Sequence, residues 1–167
     1  MRHTPSISVA TLADAPNITS LRTAVAQELT RRHGRGHWSS GATDKGVLRA
    51  LKSSVVLVAR RGADVVGTVR LEAKKPWAID VSYFVGVAKA VYLHDLAVAP
   101  TARGNGIGKL LVEEAKAVAR AWPSNAIRLD AYDHAAGAAP FYIKCGFREV
   151  GRASYRGTPL VYLELLF

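Results

Sequence analysis

The order of apolar and polar positions along the chain changes repeatedly between a period of two and a period near 3.6, which is typical of alternating strands and helices. Short β-branched runs bounded by turn residues predict strands over 6–10, 55–60, 65–71, 91–98, 126–131, 147–150 and 160–166. Apolar residues at helical spacing predict four helices: from Asp14 to about Arg32, a short one after Thr43, from Gly106 to about Trp122, and a short one around Phe141. This order predicts an α/β fold with a mixed sheet.

Capping and turn residues mark several boundaries of these elements. Asp14 is a suitable N-cap, with Pro16 in the first turn of its helix, and Thr43 is the expected cap of the second helix. The segment 61–64 predicts a hairpin turn with positive φ, and Gly146 is expected to end the last helix in the left-handed conformation. The apolar face of the third helix is expected to comprise Ile107, Leu110, Leu111, Ala115, Val118, Ala119 and Trp122, with Glu113, Lys116 and Arg120 outside it.

Length and composition limit the class of protein. The chain has 167 residues, 49% of them apolar and 22% charged, which is ordinary for one globular domain over 1–167. No window approaches the roughly 18 uninterrupted apolar residues of a membrane span, and the start, Met1-Arg2-His3-Thr4-Pro5, lacks the apolar core of a signal peptide. The single cysteine, Cys145, excludes an internal disulfide and a cysteine-based metal cluster. We therefore expect a cytoplasmic protein without a membrane or metal partner.

The formal net charge of +10 is compatible with nucleic acid, an acidic membrane surface or a polyanionic small molecule as partner. The 23 basic residues are scattered along the chain, and only the segment 31–35 forms a local cluster. An RNA-binding domain would show aromatic and basic residues interleaved on a strand, which the sequence lacks. The charge therefore permits a polyanionic ligand, and nucleic acid is not expected as a partner.

The segment Arg103-Gly104-Asn105-Gly106-Ile107-Gly108 lies between a predicted strand and a predicted helix. The first N–H groups of a helix have no partner within it and lie at the positive end of the helix dipole, so such a turn binds anions. A Walker A loop would need a glycine where Arg103 stands and a Ser or Thr where Leu110 stands. A Rossmann fingerprint would need Gly or Ala where Lys109 stands. Both nucleotide motifs are therefore excluded.

The pattern Arg-x-x-Gly-x-Gly at 103–108, preceded by Leu96-Ala97-Val98-Ala99-Pro100, resembles the acetyl-CoA signature of the GNAT superfamily of N-acetyltransferases. The resemblance extends to Phe141-Tyr142-Ile143-Lys144-Cys145-Gly146-Phe147 and to the order of the elements. It implies a single-domain, mostly antiparallel mixed sheet flanked by helices, with splayed central strands. It also implies transfer of an acetyl group from acetyl-CoA to a primary amine of a small molecule or protein, by direct attack in a ternary complex and without a metal. The alternative is a noncatalytic CoA-binding or sensor domain of the same fold.

The resemblance also implies the cofactor site. The backbone of Leu96, Ala97 and Val98 would pair with the pantetheine amides, and an amide near Leu96 would stabilise the oxyanion, which can lower a barrier by roughly 3–4 kcal/mol. The pyrophosphate would lie on the amides of Arg103, Gly104, Asn105, Gly106, Ile107, Gly108 and Lys109. Many family members carry a cofactor-contacting asparagine where this chain has Ala135, so that contact differs here.

Two side chains are expected to move protons. Tyr142 matches the position of the family's general acid, although a tyrosine on an apolar helix is also explained by packing. For the base, strand alternation places Tyr92, His94 and Leu96 on one face, so the imidazole of His94 is expected on the side of the thioester. The run His-x-Leu-Ala-Val resembles that of arylalkylamine acetyltransferases. Asp95 is the weaker candidate and is better explained as an anchor for loop amides or an arginine.

The acceptor is expected to bind at the loops 33–40 and 74–84, where the family binds its acceptors. An apolar or cation-binding wall would be formed by Trp38, Trp77, Tyr83 and Phe84. The basic residues of 31–37 would instead meet a carboxylate or phosphate, and neither loop has a motif that decides between these classes. Cys145 ends an apolar helix and is expected in the core, which disfavours an acetyl-cysteine intermediate. The sequence leaves the identity of the amine and a homodimer open.

Overall fold

The computed structural model describes residues 4–167, so Met1-Arg2-His3, part of the segment tested above for a signal peptide, lie outside the described residues. The chain forms two compact units, each assembled from two separate stretches of sequence. The first unit contains the described residues up to Leu71 together with His94–Ala115, and the second contains Glu72–Leu93 and Lys116–Phe167. One domain over 1–167 stays a prediction from the sequence.

The helices and strands follow the predicted order. The α-helices are α1 (Ala15–His33), α2 (Asp44–Ser53), α3 (Ile107–Ala121) and α4 (Ala139–Lys144). The strands are β1 (Ser6–Val9), β2 (Val55–Arg61), β3 (Asp64–Glu72), β4 (Ala90–Val98), β5 (Ala126–Tyr132), β6 (Arg148–Tyr155) and β7 (Thr158–Leu166). Strand β6 continues beyond the predicted end at Val150 because it pairs with β7 up to Tyr155. The connection 73–89 contains one 3-10 turn, Val81–Tyr83, and no strand.

Seven strands form one sheet in the order β1-β2-β3-β4-β5-β7-β6. In the first unit β2 pairs antiparallel with β1 and β3, and the predicted β2–β3 hairpin turns at Gly62 with φ of 63°. In the second unit β7 pairs antiparallel with β5 and β6. The parallel pairing of β4 with β5 covers only Ala90–Tyr92 against Ala126–Arg128, which agrees with the expected splay of the central strands. The predicted mixed, mostly antiparallel α/β sheet flanked by helices is confirmed.

Helices α1 and α2 pack against β2 through small and β-branched side chains. One apolar cluster joins the three elements and contains Ala15, Ile18, Val47, Val56 and Val58, all at most 5% exposed. Pro16 lies in the first turn of α1, and the Thr43 hydroxyl caps α2 by accepting from the Gly46 amide at 3.1 Å. Both predicted helix starts are therefore confirmed, and burial of each larger side chain stabilises the unit by roughly 1.5–3 kcal/mol.

The buried face of α3 differs from the predicted one at several positions. Leu110 is 39% exposed instead of buried, whereas Val112, which the prediction omits, is fully buried. Lys116 was expected outside this face, but it is 8% exposed and its ammonium donates to the backbone carbonyl of Cys145, itself buried as expected. This carbonyl follows the last turn of α4, where the helix dipole favours a cation. Periodicity alone cannot reveal such a partner.

Asp14 precedes α1 as predicted, but its carboxylate does not cap that helix. One carboxylate oxygen accepts from the Thr11 amide at 2.8 Å, and the other accepts from the Arg60 guanidinium at 2.7 Å. Burial alone would raise the pKa of Asp14, but the hydrogen bonds from Arg60 and Thr11 outweigh burial and hold that pKa below its usual value. The carboxylate therefore joins the start of α1 to β2.

We predict that Asp14→Asn lowers the free energy of unfolding by about 1–2 kcal/mol at neutral pH, because charge-assisted hydrogen bonds are lost. Since the pKa of Asp14 is lowered on folding, its contribution is full above about pH 4 and disappears as the pH falls through the folded-state pKa. Urea unfolding should therefore show wild type and variant converging in acid. As a control, Asp133→Asn at the exposed Arg152 pair should change stability by less than ~0.5 kcal/mol. A difference that persists in acid would contradict the ion pair.

Candidate functional site

The turn between β4 and α3 has a backbone suited to an anion. Gly104 and Gly106 have φ of 78° and 75°, a left-handed conformation that disfavours residues with a Cβ. A Cβ built at either glycine would have no atom within 4 Å, so the surface in front of the turn is open. Helix α3 begins at Ile107, and the Leu110 amide donates to the Gly106 carbonyl at 3.0 Å. The helical amides that precede Leu110 have no intrahelical acceptor and can donate to a ligand.

The side chains of the turn have different roles. The side-chain amide of Asn105 donates to the carbonyls of Ala102 at 3.1 Å and Arg103 at 3.3 Å, so it holds the turn instead of facing a ligand. Ile107 is 1% exposed and anchors the start of α3, while Lys109 is exposed. Within residues 4–167 the Arg103 guanidinium forms no ion pair. Its charge is therefore available to a phosphate.

Gly67, in the middle of β3, sets the distance between that strand and α3. A Cβ at this position would lie 2.8 Å from Leu111 Cδ1 and 2.9 Å from Ile107 Cγ2, closer than carbon atoms approach without displacement. We did not predict this role from the sequence, where the only signal is a glycine inside a strand pattern. The first turn of α3 lies close to β3 because β3 has no side chain here.

Strand β4 is irregular at Asp95, whose φ of 55° is left-handed although the residue is not glycine. A residue in this conformation interrupts the alternation of side chains along a strand. Alternation therefore no longer predicts that His94 and Leu96 lie on the same face. The expected orientation of His94 towards the thioester loses that support. Both residues are half-buried, and the Nε2 atom of His94 is buried.

Two arginines hold the carboxylate of Asp95. Arg22 of α1 donates from Nη2 to Oδ1, and Arg70 of β3 donates from Nε to Oδ2, both at 3.0 Å. The three side chains are between 20% and 29% exposed. Two charge-assisted hydrogen bonds, each worth about 1.5–3 kcal/mol, offset the roughly 1–2 kcal/mol that a left-handed residue costs. Asp95 is thus an anchor for arginines, as expected, and both oxygens of its carboxylate are engaged in ion pairs.

Substitutions at Asp95 separate the ion pairs from the backbone strain. Asp95→Ala removes both ion pairs and keeps the strain, so we predict that it lowers the free energy of unfolding by about 3 kcal/mol. Asp95→Gly loses the same ion pairs but adopts the left-handed φ freely, so it should be about 1 kcal/mol more stable than Asp95→Ala. Urea unfolding measures both variants. Equal stabilities would show that position 95 does not need the left-handed conformation.

In the second unit Tyr142 lies on α4 and is 6% exposed. Its ring packs edge-on against Phe141 and Phe147, with centroids 5.4 Å and 5.6 Å away. Helix α4 is short, as predicted, with Pro140 in its first turn, and Gly146 follows it with the expected left-handed φ of 96°. Ring packing alone would account for a buried tyrosine here, so the catalytic role of Tyr142 stays a prediction.

The aromatic side chains of the expected acceptor loops differ in burial. In the second unit Phe84 is 8% exposed and packs against Tyr162 with ring centroids 5.4 Å apart, whereas Trp77 is 83% exposed. In the first unit Trp38 donates its indole N–H to the Gly34 carbonyl at 2.9 Å. Phe84 is a core residue with little exposed surface, and the wall of aromatic side chains stays a prediction from the sequence.

The predicted site residues fall in both units. The predicted cofactor residues and His94 belong to the first unit, and Tyr142 belongs to the second. In the part of the chain that the structure describes, no group of three or more His, Cys, Asp or Glu side chains could hold a metal ion. None of the described helices combines the length and apolar character that crossing a bilayer requires.

Comparison with known proteins identifies the family. The model of a family described as an acetyltransferase (GNAT) domain matches residues 52–149, which is more than half of the chain. The chain therefore belongs to the GNAT acetyltransferases, and acetyl transfer is the activity that this membership supports. No curated protein sequence matches the chain.

Solved structures described as acetyltransferases share the fold. A ribosomal-protein-alanine N-acetyltransferase from Brucella melitensis is 22% identical, with a TM-score of 0.74 over 97% of this chain and 99% of its own. The protein yncA from Salmonella typhimurium, solved with its cofactor acetyl-CoA, is 18% identical, with a TM-score of 0.72 over 98% of this chain and 94% of its own. The PaiA N-acetyltransferase from Thermoplasma acidophilum, in complex with coenzyme A, is 15% identical, with a TM-score of 0.75 over 99% of this chain and 100% of its own. At these low sequence identities, the structural similarity shows that the fold is shared.

Proposed function

We propose that this chain transfers the acetyl group of acetyl-CoA to a primary amine of a small molecule or protein, by direct attack in a ternary complex. The observation that carries the proposal is the turn at 103–108, which combines two left-handed glycines, an open surface and the start of α3. Family membership favours acetyl-CoA as the anion that binds there, since the sequence lacks the Walker and Rossmann motifs.

In the proposed complex this chain binds the cofactor mainly through its backbone. The amides of 104–109 donate to the pyrophosphate, and Arg103 pairs with a phosphate at the edge of the turn. Leu96, Ala97 and Val98 pair with the amides of the pantetheine arm. The bound cofactor supplies a reactive thioester, and the remaining steps depend on side chains of the protein.

The transfer needs two proton movements, which we assign to His94 and Tyr142. The acceptor nitrogen loses a proton to His94 and forms a bond to the acetyl carbon. As the carbon–sulfur bond breaks, Tyr142 donates its phenolic proton to the departing sulfur. Asp95 is the weaker candidate for this role because two arginines already engage both oxygens of its carboxylate. Cys145 is buried, which supports direct transfer over an acetyl-cysteine intermediate.

The alternative function is a noncatalytic CoA-binding or sensor domain that uses the same turn. One observation favours it: packing against Phe141 and Phe147 explains Tyr142 without catalysis. Turnover separates the two functions, since both require the cofactor to bind. A cytoplasmic location stays a prediction from the sequence.

A ligand-binding prediction tests the turn. Acetyl-CoA should raise the Tm, and Gly106→Ala should weaken acetyl-CoA binding about tenfold or more, because a Cβ would occupy the open surface and strain the backbone. Gly62→Ala is the matched control, because Gly62 also has a left-handed φ and open space but lies in the β2–β3 hairpin. Isothermal titration calorimetry should give Gly62→Ala the wild-type affinity. Equal affinities of the two variants would remove the turn from the site, and stabilisation by ATP or NAD alone would contradict the assigned ligand.

A kinetic prediction tests the proton carriers. Thiol release from acetyl-CoA is measured over a panel of amines and peptides, and Tyr142→Phe should lower kcat about 100-fold while leaving acetyl-CoA affinity nearly unchanged. His94→Ala should flatten the acidic limb of the kcat/KM profile, where an imidazole becomes protonated. An unaltered limb would point to Asp95 or water as the base. If no acceptor raises thiol release above background hydrolysis, the noncatalytic function is favoured.

A further inference from the structure

The carboxylate of Asp130 on β5 is half-buried. Within residues 4–167, no lysine, arginine or histidine side chain forms an ion pair or a hydrogen bond with it. Burial raises the pKa of this carboxyl, and a hydrogen bond from its own backbone amide offsets only part of the effect. Burying an unpaired carboxylate costs free energy, so its presence in a chain with a net charge of +10 needs an explanation.

Tyr162 of β7 is the direct cross-strand partner of Asp130, so the two side chains leave the sheet on the same face with Cβ atoms about 5 Å apart. The Tyr162 hydroxyl donates to the Ala78 carbonyl and accepts from the Asp80 amide at 3.3 Å. The ring of Tyr83 lies edge-on to that of Tyr162, with 5.2 Å between centroids. The connection between β3 and β4 therefore packs over Tyr162, on the face of the sheet that carries Asp130.

Arg128 lies two residues before Asp130 on the same face of β5, but it does not neutralise the carboxylate. Its guanidinium donates from Nη2 to the Val85 carbonyl at 2.8 Å and from Nη1 to the Tyr92 hydroxyl at 3.4 Å. The same group lies 5.2 Å from the centroid of the Phe84 ring. These contacts commit the positive charge of Arg128 to other partners. Within residues 4–167 Asp130 is thus left without a cation, next to Tyr162 on the face that the connection 73–89 covers, and a half-buried carboxylate of this kind suits an ammonium ion.

We infer that Asp130 receives the positive charge of the acceptor and thereby selects amines that arrive as ammonium ions over neutral nucleophiles. The inference rests on the proposed function, which makes the second substrate an amine, and it adds one specificity-determining residue. The ammonium group of the acceptor completes an ion pair that the described chain does not form by itself.

Binding of small amines to the CoA-bound protein tests this inference without turnover. Phenylethylamine and 1,4-diaminobutane are the cationic probes, and 2-phenylethanol and 1,4-butanediol are their neutral isosteres. By isothermal titration calorimetry, the wild type should bind at least one cationic probe about tenfold more tightly than its isostere, and Asp130→Asn should reduce that ratio to about twofold or less. Asp133→Asn is the matched control, since Asp133 is exposed and pairs with Arg152, and it should keep the wild-type ratio.

Stability distinguishes a ligand-binding carboxylate from a structural one. An unpaired, half-buried carboxylate does not stabilise the fold, so Asp130→Asn should have an equal or higher Tm than the wild type. The inference is overturned by a Tm lowered by several degrees, by an Asp130→Asn variant that still prefers cations, or by a wild type without that preference. The proposed function fails separately, if the wild type prefers cations but releases no thiol with any amine.

Discussion

The conformation of β4 depends on one left-handed residue, Asp95, and on the two arginines that hold its carboxylate. The arginines come from α1 and β3, so three elements of the first unit meet at a single acidic side chain. Every residue proposed to contact the cofactor follows Asp95 in the chain. The backbone of Leu96–Val98, which leads to the turn, therefore starts from an irregular position. Arg22 and Arg70 hold this position by direct hydrogen bonds to the Asp95 carboxylate.

The ion pairs show which of the many basic residues serve the fold, and the net charge alone does not show this. Arginines neutralise the carboxylates of Asp14, Asp95 and the fully buried Glu164, so part of the positive charge serves the fold. Arg103 and Asp130 form no ion pair in the described part of the chain. Their opposite signs match the two proposed substrates, since the donor carries phosphates and the acceptor is an amine.

Features that act through the nearby backbone could be predicted from the sequence, and features that depend on distant partners could not. Gly104 and Gly106 revealed the turn because positive φ and an open approach are local properties of glycine. The carboxylate of Asp95 pairs with Arg22, 73 residues away, and no local pattern indicates this pair or the left-handed φ. Lys116 was expected to be exposed because periodicity describes one helix and omits the carbonyl that its ammonium meets. The catalytic roles of His94 and Tyr142 also depend on partners that are distant in the sequence, so these roles rest on family resemblance.

The missing side chain at Gly67 has a consequence for engineering. β-branched residues are normally favoured in strands, and replacing a strand glycine by valine is a common choice for raising stability. At this position the added methyl groups would meet Ile107 and Leu111 and displace the first turn of α3 from β3. The same displacement would move the amides at the start of that helix. Replacing Gly67 by valine to stabilise the strand would therefore lower the affinity for the cofactor. A laboratory selection for tighter cofactor binding should leave this glycine unchanged.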